Sequence, residues 1–97
     1  MVILNLTYKK PTAEVDVFQA EHRAFLAKKY SEGVVIVSGR KSSNDGGIIV
    51  TSLKTKAEAE TFMREDPYHR EDLADYTFIE VTPTKYDPKL RPQNVPW

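Results

Sequence analysis

The sequence predicts an α+β domain with the element order β-α-β-β-α-β, and three observations carry that expectation. Apolar and polar residues alternate at the start, with Val2, Leu4, Leu6 and Tyr8 on one side and Ile3, Asn5 and Thr7 on the other; this is the period of a strand. Two later stretches repeat at helical spacing, Val15, Phe18, His22, Phe25 and Lys29 in the first and Ala59, Phe62 and Met63 in the second. Between them, the β-branched runs "VVIVSGR" (34–40) and "IIVTSL" (48–53) flank the turn-forming "KSSNDGG" (41–47), which reads as a β-hairpin.

The element ends follow from capping chemistry. Pro11 breaks the first strand, and Thr12 is placed to cap a helix whose first turn holds Glu14 and Asp16, both complementary to the helix dipole. That helix is expected to run to about Glu32, with Lys28 and Lys29 at its negative end and Gly33 free to take the left-handed stop conformation. "TKAEAETFMRED" (55–66) is the second helix, opened by the capping-box pair Thr55 and Glu58 and closed by Pro67, which disfavours helical geometry in the residue before it. A short helical or irregular stretch through Leu73 leads to the last strand, "YTFIEV" (76–81). This is the split-βαβ, ferredoxin-like arrangement, a four-stranded antiparallel sheet with two helices on one face. After it, "TPTKYDPKLRPQNVPW" holds four of the six prolines and reads as an extended tail, dividing the chain into a domain at 1–83 and a tail at 84–97.

Composition narrows the function. Hydrophobic residues at 40% and charged residues at 29% argue against wholesale disorder. Lys+Arg and Asp+Glu both number 14, so no global field steers the chain towards nucleic acid or an anionic membrane. With no cysteine and two isolated histidines, the chain offers neither a thiolate nucleophile nor a recognisable zinc spacing, and no metal or cofactor is expected. No phosphate loop, dinucleotide fingerprint or nucleophile elbow is present. Asn5 and Thr7 stand where an RNA-binding sheet would want stacking aromatics. No apolar run approaches the roughly 20 residues of a membrane span, and "MVILNLTYKK" has its lysines on the wrong side of its apolar run for a secretory signal. A cytoplasmic protein without membrane or nucleic-acid partners is the expectation.

The middle strands point to a partner. Val34–Val37 and Ile48–Val50 present apolar groups to both faces of the sheet, whereas a face in water should be polar. A second copy of the chain, packed face to face as a homodimer, would cover it. The alternative is the tail folding back over its own sheet with Trp97 as a plug.

Two residues are candidates for chemistry and three for binding. His22 puts a titratable imidazole on an apolar stripe, where burial disfavours its charged form unless a partner compensates; it is either a core histidine bonded to backbone or part of a site. His69, among charges in "DPYHRED", reads as a surface residue. Asp66 closes the second helix, at the unfavourable end of its dipole, so it calls for a compensating cation such as an imidazolium, or is a turn aspartate bonding its own backbone. In "SGR", Ser38 offers a hydroxyl, Gly39 a close backbone approach, and Arg40 either a fork for a carboxylate or phenolate or an exposed strand-end charge. Gly46-Gly47 is explained by the hairpin turn.

"LTYKKP", "HRAFL", "SGR…GGIIV", "EDPY" and "FIEVTP", in order over residues 1–83, resemble the YCII-related family. The resemblance implies a dimeric α+β barrel of ferredoxin-like subunits, in which a first-helix histidine and an aspartate line a cleft as an active site. By position these are His22 and Asp66, with Ser38 and Gly39 as neighbours. The family's strand-end motif often reads Ser-Gly-Pro, where this chain has Arg40. It also implies lyase- or isomerase-like steps on aromatic-degradation intermediates, including loss of chloride from a chlorinated hydroquinone. The expectation is a cofactor-independent lyase or isomerase acting on a small cyclic or aromatic molecule, with His22 moving a proton and Asp66 orienting it. A non-catalytic, ligand-binding dimer is the alternative, and an interaction role for the tail is a third reading.

Overall fold

The computed structural model describes residues 1–90. Its elements run β1 (Val2–Tyr8), α1 (Thr12–Asp16), α2 (Gln19–Ser31), β2 (Val35–Arg40), β3 (Gly46–Thr51), α3 (Lys56–Arg64), α4 (Pro67–Arg70) and β4 (Ala74–Glu80). The strands form one antiparallel sheet in the order β2-β3-β1-β4, with Leu4 opposite both Ile49 and Phe78. This is the expected ferredoxin-like topology, in which β1 is central and β2 lies at an edge.

The predicted first helix is two pieces. Val17 closes α1, and Phe18 leaves helical geometry at φ −102°, ψ 9° before α2 begins. Both residues are weak helix formers, and the bend leaves Val17 75% exposed while the Phe18 ring packs against the core. Thr12 does not cap: Pro11 occupies that position, and the Thr12 hydroxyl donates to the Asn44 carbonyl, tying the helix start to the hairpin loop. Gly33 takes the expected left-handed conformation, φ 75°, after α2.

The second helix keeps its capping box, with Thr55 and Glu58 reciprocally bonded, but it ends at Arg64. Pro67 forces Asp66 into extended geometry, φ −76°, ψ 127°, and then opens α4 at its first position. Asp66 therefore does not oppose the C-terminal end of a dipole. It caps the N-terminus of the next helix, where a carboxylate is favoured.

The hairpin loop also differs from expectation. Gly46 and Gly47 belong to β3, and the left-handed turn residue is Asn44, φ 62°. A methyl group on Gly46 would overlap the backbone carbonyl of Leu6, so close strand contact, rather than turn chemistry, requires glycine there.

Val2, Leu4, Leu6 and Ile49 from the sheet meet Val15, Leu26, Ala59 and Phe62 from the helices in a single buried core. A register shift between Val35 and Val37 turns β2 over, so Val35 faces this core and Val37 the opposite face. That second face carries Ile3, Ile48, Val50 and Ile79 with Val37, of which Ile79 and Val37 are 53% and 54% exposed. A 3-10 turn at Pro88–Leu90 interrupts the tail; Trp97 lies outside the described residues. Among the described residues no helix is long and apolar enough to cross a membrane, and no group of three or more acidic or histidine side chains could hold a metal ion.

Candidate functional site

Asp66 is fully buried, and its position is set by the α3–α4 junction. A buried carboxylate is costly unless donors surround it, and here they do. Oδ1 accepts from the Tyr68 backbone N–H at 3.0 Å, Oδ2 accepts from the Tyr76 hydroxyl at 2.8 Å, and the Nδ1 of His22 lies 2.8 Å from Oδ1. A carboxylate can only accept hydrogen bonds, so the His22 hydrogen sits on Nδ1. In the neutral ring, the lone pair is then on Nε2.

Burial, reinforced by the Asp66 charge and hydrogen bond, holds the Tyr76 phenol proton far above the ordinary tyrosine range, which keeps this group a donor. Tyr68 fixes the imidazole from another side. The two rings are stacked 3.9 Å apart at 5°, and Tyr8 meets Tyr68 edge-on at 6.2 Å. Desolvation pushes the Tyr68 hydroxyl up to about 12, so it too stays protonated at neutral pH.

The other ring nitrogen of His22 is open. Among the described residues Nε2 has no hydrogen-bond partner, yet no buried side-chain nitrogen or oxygen among them lacks one, so Nε2 is accessible to solvent. His22 lines a cavity of about 250 Å³ between α2 and the sheet edge, walled also by Tyr8, Leu26, Ile49 and Tyr68. Asp66 is not part of that wall. It stands behind the histidine, so only one of the two expected acid–base residues faces the cavity.

Ser38, Gly39 and Arg40 all line the same cavity. Their polar groups are already engaged: the Ser38 hydroxyl shares a 2.7 Å hydrogen bond with the Tyr30 hydroxyl, while Arg40 donates from Nε to the Tyr8 hydroxyl at 3.1 Å and pairs with Asp16. The Asp16 and Tyr8 hydrogen bonds raise the Arg40 pKa further. Arg40 is thus neither a loose surface charge nor a free fork. At Gly39 an added Cβ would meet open space. His69 is exposed, as expected, with its ring edge-on to Tyr76 at 5.9 Å.

Three residues of the site are not singled out by sequence reasoning. Periodicity assigns Tyr76 only to a strand and Tyr68 only to the stretch after the second helix. The backbone bond from Tyr68 to Asp66 is the local turn bond the sequence allows, but nothing local announces the Tyr76 hydroxyl on Asp66 or the Tyr68 ring on His22. Arg23 carries a weak signal: Gln19, His22, Arg23 and Leu26 repeat at i, i+3, i+4 and i+7, one face of α2, and all four line the cavity.

Among solved structures, the chain is similar to a 5-chloro-2-hydroxyhydroquinone dehydrochlorinase from Burkholderia phenoliruptrix AC1100, in complex with 2,5-dihydroxybenzoquinone. The TM-score is 0.67 at 17% identity, over 84% of this chain and 94% of that one. At that identity the likeness is one of fold. No curated protein matches the chain. The model of the YCII-related domain matches residues 1–82, in the span where the ordered motifs lie, and the chain belongs to that family.

Proposed function

We propose that the cavity is a cofactor-independent acid–base site, of lyase or isomerase type, for a small cyclic or aromatic molecule. His22 Nε2 takes or gives the proton, Asp66 holds the ring's tautomer and stabilises the imidazolium, and the Ser38–Arg40 strand end forms the wall against the substrate. The observation that carries this reading is the 2.8 Å His22–Asp66 bond behind an accessible Nε2. An oriented base of this kind supplies roughly 100- to 10,000-fold in rate. The dehydrochlorinase of similar fold, in complex with a hydroxylated quinone ring, supports a ligand of that size. At about 250 Å³, the cavity falls below the roughly 300–1,000 Å³ of pockets for drug-sized ligands and suits a single substituted ring.

The domain at 1–83 is proposed to work as a homodimer, with the apolar outer face of the sheet buried against its copy, in the cytoplasm. Turnover of 5-chloro-2-hydroxyhydroquinone, followed by ring absorbance and chloride release, and of its dehalogenated counterparts, followed by ring absorbance alone, tests the chemistry. His22→Ala should abolish turnover while the fold persists. Full turnover in a folded His22→Ala protein overturns the acid–base reading; binding of 2,5-dihydroxybenzoquinone without turnover of any ring compound would leave a ligand-holding module.

A further inference from the structure

The charge on the cavity wall is one-sided. Arg23 and Arg40 line it, and no carboxylate does. The two arginines differ in what they have left to give. Arg40 is already answered by Asp16 and Tyr8. Among the described residues the other arginines are also paired, Arg64 with Glu60, and Arg70 with Glu21 and Glu71. Among them Arg23 alone has no carboxylate partner. It sits on the wall one residue along α2 from His22, with its guanidinium unspent.

We infer that the cavity takes a small ring compound bearing a carboxylate, and that Arg23 is the specificity-determining residue that reads it. The inference rests on the proposed acid–base site and adds to it the class of its substrate. A planar fork of donors matches a carboxylate with two parallel hydrogen bonds, a geometry that lysine cannot reproduce. The apolar and aromatic part of the wall, Leu6, Leu26, Ile49 and Tyr68, suits the ring. The arrangement also serves the chemistry. A carboxylate held by Arg23 offsets the guanidinium charge one residue from the imidazole, which removes its repulsion of the imidazolium that forms when Nε2 takes a proton. The ion pair at Arg40 keeps that second cation turned to Asp16 and Tyr8, so the ligand's charge is drawn to the helix side of the cavity, next to His22.

The test compares two probes of nearly the same shape, the charged 2,5-dihydroxybenzoate and the neutral 2,5-dihydroxybenzamide, titrated into the full chain by calorimetry. The His22 imidazole resonance reports occupancy of the site. The carboxylate should bind about tenfold or more tightly than the amide, as expected when a charged hydrogen-bonded pair replaces a neutral one, and the margin should shrink at high salt. Arg23→Gln should erase that margin, lowering the affinity of the carboxylate far more than that of the amide, and Arg23→Lys should restore only part of it. Arg23 is exposed, so neither variant disturbs the core. Equal affinity of the two probes, or a margin that survives in Arg23→Gln, overturns the carboxylate inference while the ring-binding site stands. If neither probe moves the His22 resonance, the inference and the proposed site fall together.

Discussion

Asp66 holds three donors on two oxygens, and its replacement by asparagine separates charge from geometry. With the new amide nitrogen at the Oδ2 position, the Tyr76 hydroxyl can rotate to accept from it, while the remaining oxygen still receives Tyr68 N–H and His22 Nδ1–H. Asp66→Asn should therefore fold and bind ring ligands, yet lose about 100-fold or more in turnover, since the imidazolium is no longer stabilised. Tyr76→Phe reverses the pattern. It leaves one oxygen of a buried carboxylate without a donor, a loss of about 1–3 kcal/mol. That should lower the melting temperature, with roughly 4–8 °C for each kcal/mol in a domain of this size. Thermal melts and turnover measured on both variants check the pair of outcomes, and an Asp66→Asn protein with full turnover would remove the carboxylate from the mechanism.

At the scale of elements, the most exposed test is the α3 cap. Thr55→Ala removes the acceptor for the Glu58 N–H and should cost about 1 kcal/mol, read as a drop in melting temperature with turnover unchanged. This cap is legible in the sequence because it is a local reciprocal pair, and the strands are legible because period-two alternation is local as well. The α3–α4 junction is not. Asp-Pro announces a helix boundary, but whether the aspartate ends one helix or starts another depends on where the chain goes next, here through one turn to β4. The break at Val17–Phe18 is hidden for a similar reason: the apolar stripe continues across it, since Val15 and Phe18 both face the core. His22 is legible as an anomaly on that stripe. Its surroundings are not: the Tyr68 N–H bond to Asp66 is a local cap, but the Tyr76 hydroxyl on Asp66 and the Tyr68 ring on the imidazole depend on where α4 and β4 pack. The Ser38–Arg40 strand end stands out by its residue types, whereas its bonds to Tyr30, Tyr8 and Asp16 arise from long-range placement and leave no local trace.

For the whole molecule, two measurements bear on the assembly and on acid stability. If the outer sheet face is the dimer seam, Ile79→Lys should shift the mass seen by light scattering from dimer to monomer, because a buried charge there lacks a partner. A wild-type protein that is monomeric at micromolar concentration would exclude the seam. Acid acts elsewhere. Glu21, Asp45, Glu65 and Asp72 all have pKa values lowered from their ordinary 4.5 or 3.8 by hydrogen-bonding partners, respectively Arg70, Ser43, Lys29 and Lys9. The unfolded chain takes up these protons first, so the stabilisation is complete above the unfolded values and is lost as pH falls through the folded ones. The melting temperature should therefore hold down to about pH 5 and decline below about 4, as a calorimetric pH series would show. These are surface groups, so the decline should be shallow and should weaken with added salt.

The double duty of Asp66 bears on how kindred sequences are to be read. One carboxylate both starts a helix and seats an imidazole, so natural selection for a well-folded chain would retain it even in a lineage whose chemistry had lapsed. Finding the acid in a distant cousin therefore says little by itself about whether that cousin still turns anything over. The open side of the imidazole, and the guanidinium one step along the helix, have no comparable duty to the scaffold, and they are where a living activity would leave its mark.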